Sequence, residues 1–424
     1  MAAVDGPHGN PHWHQPGRWR VAPWNYESEA RGSLAPAGEA KVFVVDSTIR
    51  SIITSEAGSA ATVDDFVDIA RALAEAGIRE TVFNIVHGGE PSALALAAAR
   101  KIVEAKVPIQ TSTELHVAPD NWKRLLDFGM SLGLDCVQWA YGTLPHIPGY
   151  SMSERAIDLC EEGIDLMVSR GQQAAFAYNF TYDEDPEFIV KFFQRAAKMK
   201  VQSLRLYDPT VSVSPDAMRW LVERIKAAVG PSAPPLVVHT HDTWGLASAV
   251  TIAAVLGGAD GIDLVVNGLG TKGGHTSMAS TLVALEALYG VRTGVKLEQM
   301  MALSNLVSER TGVPVARVAA AVGPDFFLVE QAGLVQHAYQ ERDDGTEYDS
   351  PYAPSLVGQR RRIVWGRNTV KEPLLAYVLK GAGLEATPER VERARVAVDR
   401  ALSRSTRYPI WLSEEEVVAI VRQT

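Results

Sequence analysis

Apolar residues follow two alternating spacings along most of the chain. Short runs rich in β-branched residues, such as KVFVVD at 41–46, alternate with longer stretches in which apolar residues recur every three or four positions, such as TVDDFVDIARALAEAG at 62–77. The first pattern predicts strands and the second predicts amphipathic helices. Thr62 is a candidate helix cap and Gly77 a candidate helix end. The two patterns alternate eight times between residues 41 and 290.

Repeated strand–helix units predict an α/β fold with a parallel sheet. Eight units in about 250 residues is the number found in a (β/α)8 TIM barrel. A doubly wound sheet is the alternative, but the GLG at 268–270 follows the last predicted strand, whereas a dinucleotide-binding loop follows the first. We therefore expect a TIM-barrel catalytic domain over 41–290 and a mainly helical C-terminal region over 291–424.

The first 40 residues lack this alternation. They are rich in Pro, Gly, His and Trp and show no period, which is typical of a flexible arm. The aromatic part from Trp19 to Tyr26 is apolar, so we expect it to pack on a neighbouring surface, for example that of a second subunit.

Composition narrows the class of protein. With 46% hydrophobic and 21% charged residues, the chain is typical of a soluble globular protein. The net charge of −9 and the absence of a basic stripe argue against a nucleic-acid partner. No apolar run is long enough for a membrane span, and the N-terminus does not resemble a signal peptide, so we expect a cytoplasmic protein. The two cysteines do not form a CxxC pair, which argues against a disulfide framework or a cysteine zinc site.

The strongest chemical signal lies in the seventh predicted strand, PLVVHTH. Residues two apart on a strand point to the same side, so His239 and His241 can bind one metal ion. In a TIM barrel the active site lies at the carboxyl ends of the strands. Other polar residues that follow predicted strands are therefore candidates, although some must be structural: Asp46, Arg50, His87, Glu114, His116, Thr143, His146, Asn179, Asp208, Thr210 and Asn267.

Three blocks carry a family resemblance. VVDSTIR at 44–50, VVHTHDTWGLA at 237–247 and VNGLGTKGGHTSMA at 266–279 resemble the signature blocks of the DRE-TIM metallolyases, which include isopropylmalate synthase, homocitrate synthase and hydroxymethylglutaryl-CoA lyase. The tail that begins VGPDFFLVEQAGL at 322 resembles the region that follows the barrel in the synthases. The resemblance therefore favours the synthase branch.

The resemblance implies a divalent metal at the barrel mouth that binds a 2-oxo acid, a small-molecule carboxylic acid. Acetyl-CoA or another acyl-CoA is then deprotonated next to its thioester and adds to the carbonyl group, Arg50 stabilises the developing oxyanion, and water hydrolyses the thioester to release CoA. A structural salt bridge from Arg50 to Asp46 or Asp208 is the alternative. His146 and Thr210 are further candidates for catalytic residues.

The resemblance also implies a homodimer in which the tail reaches the partner's barrel mouth. Tyr348 or His337 is then expected near the site of the other subunit.

The sequence departs from the family at several site positions, which include Ile53 in place of a glutamate and Ala177 in place of a serine. Ser51 stands where the family has an aspartate ligand, His275 where it has an asparagine ligand, Asn179 where it has a glutamate, and Val335 where it has a catalytic histidine.

These departures replace carboxylates with an imidazole, so the predicted ligands are His239, His241 and His275. Such a set suits a transition metal, here zinc, iron or manganese, better than magnesium. Two alternatives to a carbon–carbon bond-forming or cleaving enzyme stay open. One is a diverged metalloenzyme that performs hydrolysis or oxidation at a three-histidine centre, and the other is a catalytically silent barrel.

Overall fold

A computed structural model describes most of the 424-residue chain. The described residues are 11–31, 34–35, 37–55, 60–87, 90–117, 121–142, 154–180, 184–329, 350–367, 369–406 and 411–424.

Eight parallel strands close into a barrel, and each strand pairs with the strands before and after it in the chain. Their short apolar runs are buried on both faces, as parallel strands covered by helices require. The predicted (β/α)8 barrel is therefore confirmed. The strands are β1 Phe43–Asp46, β2 Glu80–Phe83, β3 Gln110–His116, β4 Cys136–Gly142, β5 Gln173–Asn179, β6 Leu204–Asp208, β7 Leu236–Thr240 and β8 Gly261–Leu264.

Helices surround the barrel, and several of them begin at a side-chain cap. The Thr62 hydroxyl accepts a hydrogen bond from the backbone N–H of Asp65, whose carboxylate bonds back to Thr62, and the helix ends at Gly77 in a left-handed conformation. The helices are α1 Thr48–Ile53, α2 Val63–Ala76, α3 Ala93–Glu104, α4 Trp122–Met130, α5 Glu154–Ser169, α6 Pro186–Ala196, α7 Pro215–Val229, α8 Ala247–Leu256, α9 Met278–Tyr289 and α10 Met300–Thr311. Among the helices in the described part of the chain, none is long and apolar enough to cross a bilayer.

A layer of polar side chains lies inside the barrel, below its mouth. Arg205 on β6 donates to both carboxylate oxygens of Glu80 on β2, at 2.6 and 2.8 Å. The Ser112 hydroxyl also donates to Glu80, Gln138 donates to Ser112 at 2.8 Å, and the Tyr207 hydroxyl donates to Gln138 at 3.1 Å. This chain of donors runs from β6 through β4 and β3 to a single buried carboxylate.

A second compact unit contains residues 316–424 together with 13–22, while the first contains the barrel. In the second unit, the hairpin of His14–Gln15 and Trp19–Arg20 bonds to the segment around Tyr352: the N–H of Arg20 donates to the carbonyl of Pro351 at 2.7 Å. Trp19 is buried there. The other elements of this unit are β9 Leu328–Val329, β10 Arg362–Trp365, β11 Leu412–Ser413, α11 Glu372–Gly381, α12 Pro388–Arg404 and α13 Glu414–Val421.

Candidate active site

Three histidines meet at the carboxyl end of the barrel. His239 lies on β7, His241 directly follows it, and His275 lies in the segment after β8. One ring nitrogen from each of the three lies within 4.8 Å of the others, and all three side chains are buried. We call these residues the three-histidine group. The structure therefore brings together the three residues that the sequence predicted as metal ligands.

The Nδ1 atom of each imidazole faces an oxygen atom. The partners are the Asp263 carboxylate at 3.0 Å for His239, the Thr271 carbonyl at 3.3 Å for His241, and the Leu269 carbonyl at 2.7 Å for His275. Because carbonyl and carboxylate oxygens only accept hydrogen bonds, each Nδ1 carries the hydrogen. The lone pair of each ring is then on Nε2, as in metal sites where an outer partner orients the imidazole. The group therefore fits a metal ion bound through three Nε2 atoms.

Burial keeps two of the imidazoles neutral. Desolvation, together with the neighbouring His239 and Arg50, lowers the pKa of His241 to about 3. Desolvation and the same neighbours also hold the pKa of His275 well below its usual value. A neutral imidazole has a free lone pair for a metal, so protons compete weakly for these two side chains near neutral pH.

Two glycines allow the segment after β8 to bring His275 into the group. At Gly270, with φ of +127°, a side-chain Cβ would lie 2.2 Å from Nδ1 of His275. At Gly274, with φ of +98°, a Cβ would lie 2.1 Å from the carbonyl oxygen of Gly268. The tight turn also places the N–H of Asp242 2.9 Å from the Gly274 carbonyl, which ties this segment to the end of β7.

Arg50 on α1 lies beside the three-histidine group. One of its Nη atoms is 3.4 Å from Nε2 of His239, and the other is 3.2 Å from a carboxylate oxygen of Glu114. The second oxygen of Glu114 is 3.2 Å from Nε2 of His116. Burial raises the pKa of Glu114, but the charges of Arg50 and His116 lower it by more, so this carboxylate stays ionised.

The alternative prediction, a structural salt bridge from Arg50 to Asp46 or Asp208, is wrong in its partners. Asp46 accepts hydrogen bonds from Thr48 and Thr81, and burial raises its pKa to about 7. Asp208 accepts from the backbone N–H of Ser212 at 3.0 Å. The ion pair of Arg50 is formed with Glu114 instead.

The other predicted site residues fall in different places. The Thr210 hydroxyl donates to Asp208 at 3.3 Å, in the segment after β6. Ser51 is buried, and its hydroxyl lies 3.3 Å from Nδ1 of His275, the nitrogen that faces away from the proposed metal position. His146, His337 and Tyr348 lie outside the described residues, as does Val335.

Two residues of the site were not predicted in the roles they have. Asp263 binds His239 from β8 and in turn accepts a hydrogen bond from the Ser47 hydroxyl at 2.8 Å. Glu114 pairs with Arg50 from β3. The sequence does contain a signal for both, because an acidic residue inside an otherwise apolar or neutral barrel strand requires a partner.

The fold and the site together define a TIM-barrel protein with a candidate metal group at the carboxyl ends of its strands. The chain belongs to the HMGL-like family, whose model matches residues 44–307. Its solved structural neighbours include the hydroxymethylglutaryl-CoA lyase of Bacillus subtilis, with a TM-score of 0.55 and 16% identity over 66% of this chain and 97% of the lyase. At that identity the likeness shows the fold alone.

Curated relatives place the chain near the synthases. It is 26% identical to the 2-isopropylmalate synthase of Methanocaldococcus jannaschii over 81% of this chain and 64% of the relative. It is also 26% identical to the (R)-citramalate synthase of the same organism, over 90% of this chain and 74% of the relative. The chain thus spans somewhat less than two thirds of the first relative's length. The predicted membership of the DRE-TIM superfamily, near the synthase branch, is confirmed.

Proposed function

We propose that this protein is a metal-dependent enzyme that forms or cleaves a carbon–carbon bond in a 2-oxo or 2-hydroxy acid. The observation that carries the proposal is the three-histidine group, which lies beside Arg50 at the carboxyl end of the barrel. An acyl-CoA is the proposed second substrate, because the matched relatives are named as 2-isopropylmalate and citramalate synthases.

The donor set supports zinc, iron or manganese as the metal. Three neutral imidazole nitrogens favour a transition metal over magnesium, which prefers oxygen ligands. When bound, the ion would supply Lewis acidity toward the carbonyl group of the acid. His239, His241 and His275 would hold it through their Nε2 atoms.

Arg50 has the position and chemistry to bind the substrate oxygen on which negative charge develops. Its guanidinium offers several N–H donors in a fixed plane, and Glu114 restrains one end of that plane. The ion pair therefore pre-orients the donors before a substrate arrives, which is how a site stabilises charge in a transition state without reorganising. Thr210 is a further candidate for a substrate contact, and its hydroxyl is oriented by Asp208.

Metal analysis and a thiol-release assay test this proposal. We expect about one transition-metal ion per chain in purified protein, and release of free CoA when acetyl-CoA is mixed with a panel of 2-oxo acids. Carbon–carbon cleavage is tested with 2-hydroxy acids in the presence of CoA, which the reverse condensation consumes, and in its absence, where only an aldol-type cleavage to a 2-oxo acid can occur. Stoichiometric metal with no reaction in either direction would favour hydrolysis or oxidation at a three-histidine centre. Protein that binds none of the three metals would favour a catalytically silent barrel.

Arg50→Lys tests the role of the guanidinium. Lysine keeps the charge but loses the planar set of donors, so we expect turnover to fall well beyond twofold while metal content is unchanged. Steady-state kinetics on the substrate found by the assay measures the change. Turnover within about twofold of wild type, which is under about 0.5 kcal/mol of barrier, would make Arg50 structural.

The homodimer stays a prediction. It is supported by the resemblance alone, and sedimentation at micromolar concentration tests it, since a monomer there would contradict it.

A further inference from the structure

A positive charge lies where it should weaken metal binding. One Nη atom of Arg50 is 3.4 Å from Nε2 of His239, the nitrogen whose lone pair would bind the ion. An ion bound to that nitrogen would lie within a few ångströms of the guanidinium, and two positive charges that close repel inside a protein, where the effective dielectric constant is far below that of water. An imidazole ligand carries no negative charge, so the three histidines cannot offset this repulsion. In the family pattern an aspartate ligand supplies negative charge here, but this chain has Ser51 at that position.

Glu114 is the carboxylate that faces this positive charge. It is fully buried, and one of its oxygens is 3.2 Å from the guanidinium of Arg50. It comes from β3, whereas the family's substrate-site glutamate belongs to β5, where this chain has Asn179. Asn179 is itself buried. A carboxylate is therefore present at the mouth of this barrel, but on a different strand and bound to the arginine.

We propose that Glu114 is a positioning residue that makes the three-histidine group able to bind a dication, by neutralising Arg50 and holding its guanidinium to the β3 side. In the family pattern the negative charge is on a metal ligand, whereas in this chain it is on Glu114, the carboxylate that pairs with Arg50. This inference rests on the proposed function, since it requires that the group binds a metal.

A double-mutant cycle on metal affinity tests the inference without requiring a known substrate. Metal-free full-length protein is titrated with Co²⁺, followed by visible absorption, and the result is repeated with Zn²⁺ by chelator competition. We expect Glu114→Gln to weaken Co²⁺ binding at least tenfold, which is about 1.4 kcal/mol, because it leaves Arg50 unneutralised. We expect Arg50→Gln to strengthen binding threefold or more. In the Arg50→Gln background, Glu114→Gln should have less than a third of its original effect on the binding free energy.

Several outcomes would overturn the inference. One is an unchanged Co²⁺ affinity in Glu114→Gln. Another is an equal loss of affinity in both backgrounds, because that result means that Glu114 does not act through Arg50. His116→Gln is the control for the other partner of Glu114, and we expect its Co²⁺ affinity to stay within threefold of wild type. A loss as large as that of Glu114→Gln would mean that the carboxylate acts through His116.

Two checks keep the result interpretable. If Glu114→Gln fails to fold, as judged by circular dichroism, Arg50→Gln alone decides, and affinity that is unchanged or weaker overturns the inference. If wild-type protein binds neither Co²⁺ nor Zn²⁺, the proposed function itself fails. If wild type binds metal and the cycle shows no coupling, only the role of Glu114 fails.

Discussion

Two of the buried ion pairs in the barrel differ in their surroundings. Inside the barrel, Arg205 and Glu80 have exposures of 1% and 3%, and the hydrogen bonds of Ser112 converge on the same carboxylate. At the mouth, Glu114 is equally buried, but the side chain of Arg50 is 15% exposed and also contacts a histidine nitrogen. In the interior pair both side chains are buried against each other, whereas in the mouth pair part of the arginine side chain stays exposed.

This difference separates a structural ion pair from a candidate functional one. A buried pair gains little net stability from its attraction, because desolvation offsets it, but removing one partner leaves an uncompensated charge. At the interior pair, the whole cost of such a change should appear as lost stability. At the mouth, part of it should appear as altered metal binding.

The largest effect is expected from breaking the interior pair. Glu80→Gln leaves the Arg205 guanidinium buried without its counter-charge, so we expect the free energy of unfolding to fall by about 3–5 kcal/mol. Urea unfolding measures it. The folded fraction should keep its Co²⁺ affinity, and a changed affinity would show that the two pairs are coupled.

Removing one imidazole should have the next largest effect, on metal binding rather than folding. Without His275, two ring nitrogens remain, so we expect His275→Ala to lower metal affinity by at least about a hundredfold, or about 2.7 kcal/mol. His239→Ala should act in the same direction. Metal content by mass spectrometry and Co²⁺ titration measure both. Full stoichiometric metal with unchanged affinity in His275→Ala would rule out the three-histidine site.

Asp263→Asn tests the residue that orients His239. The amide keeps the shape but loses the charge that holds the Nδ1 hydrogen, so we expect metal affinity to fall about 10–100-fold, as for other partners of metal-binding imidazoles. Isothermal titration with Zn²⁺ measures the change. Ser47→Ala, which removes a hydrogen bond to the same carboxylate, is the milder control and should cost less.

Acid should destabilise the metal-free protein through its buried histidines. An unfolded histidine takes up a proton near pH 6.5, whereas His241 in the folded protein does so only near pH 3, so the unfolded state binds more protons in between. Stability should then fall as pH decreases below 6.5, by about 1.4 kcal/mol per pH unit for each such group. Urea unfolding between pH 7 and 5 measures this. His241→Gln should reduce the slope, and an unchanged slope would show that His241 titrates normally.

Ser51→Ala should have the smallest effect. The hydroxyl lies beside the Nδ1 atom of His275, which already has the Leu269 carbonyl as a closer acceptor, so we expect metal affinity to change less than about threefold. Co²⁺ titration measures it. A loss of tenfold or more would mean that Ser51 takes a direct part in binding the ion.

The sequence was sufficient for the barrel because local patterns determine it. Runs such as CVQWAYG and QAAFAYNF contain residues that are buried on both faces of a parallel strand, and each is followed by a helical period, so strand order follows chain order. The pair at His239 and His241 was found for a similar reason, since strand geometry alone places two side chains together.

The partners of the site residues depend on contacts between distant strands, which spacing does not contain. Asp263 and His239 are 24 residues apart, and Arg50 and Glu114 are 64 apart, so only the closed register of the barrel brings each pair together. The sequence alone offered Asp46 and Asp208 as partners for Arg50, because both follow strands that end at the same mouth. Register and strand tilt select among such acids, and neither can be read from a single strand.

The hairpin near the start of the chain has a consequence for the order of synthesis. Residues 13–22 belong to the same compact unit as residues 316–424, so the ribosome makes this hairpin about 300 residues before the rest of the unit. Trp19 cannot pair with Tyr352 until Tyr352 has been translated, and the whole barrel is translated in the interval. A fragment expressed from residue 316 onward would therefore lack Trp19 and the backbone donor that binds Pro351. This unit is therefore encoded by two segments about 300 residues apart, and residues 316–424 lack part of it.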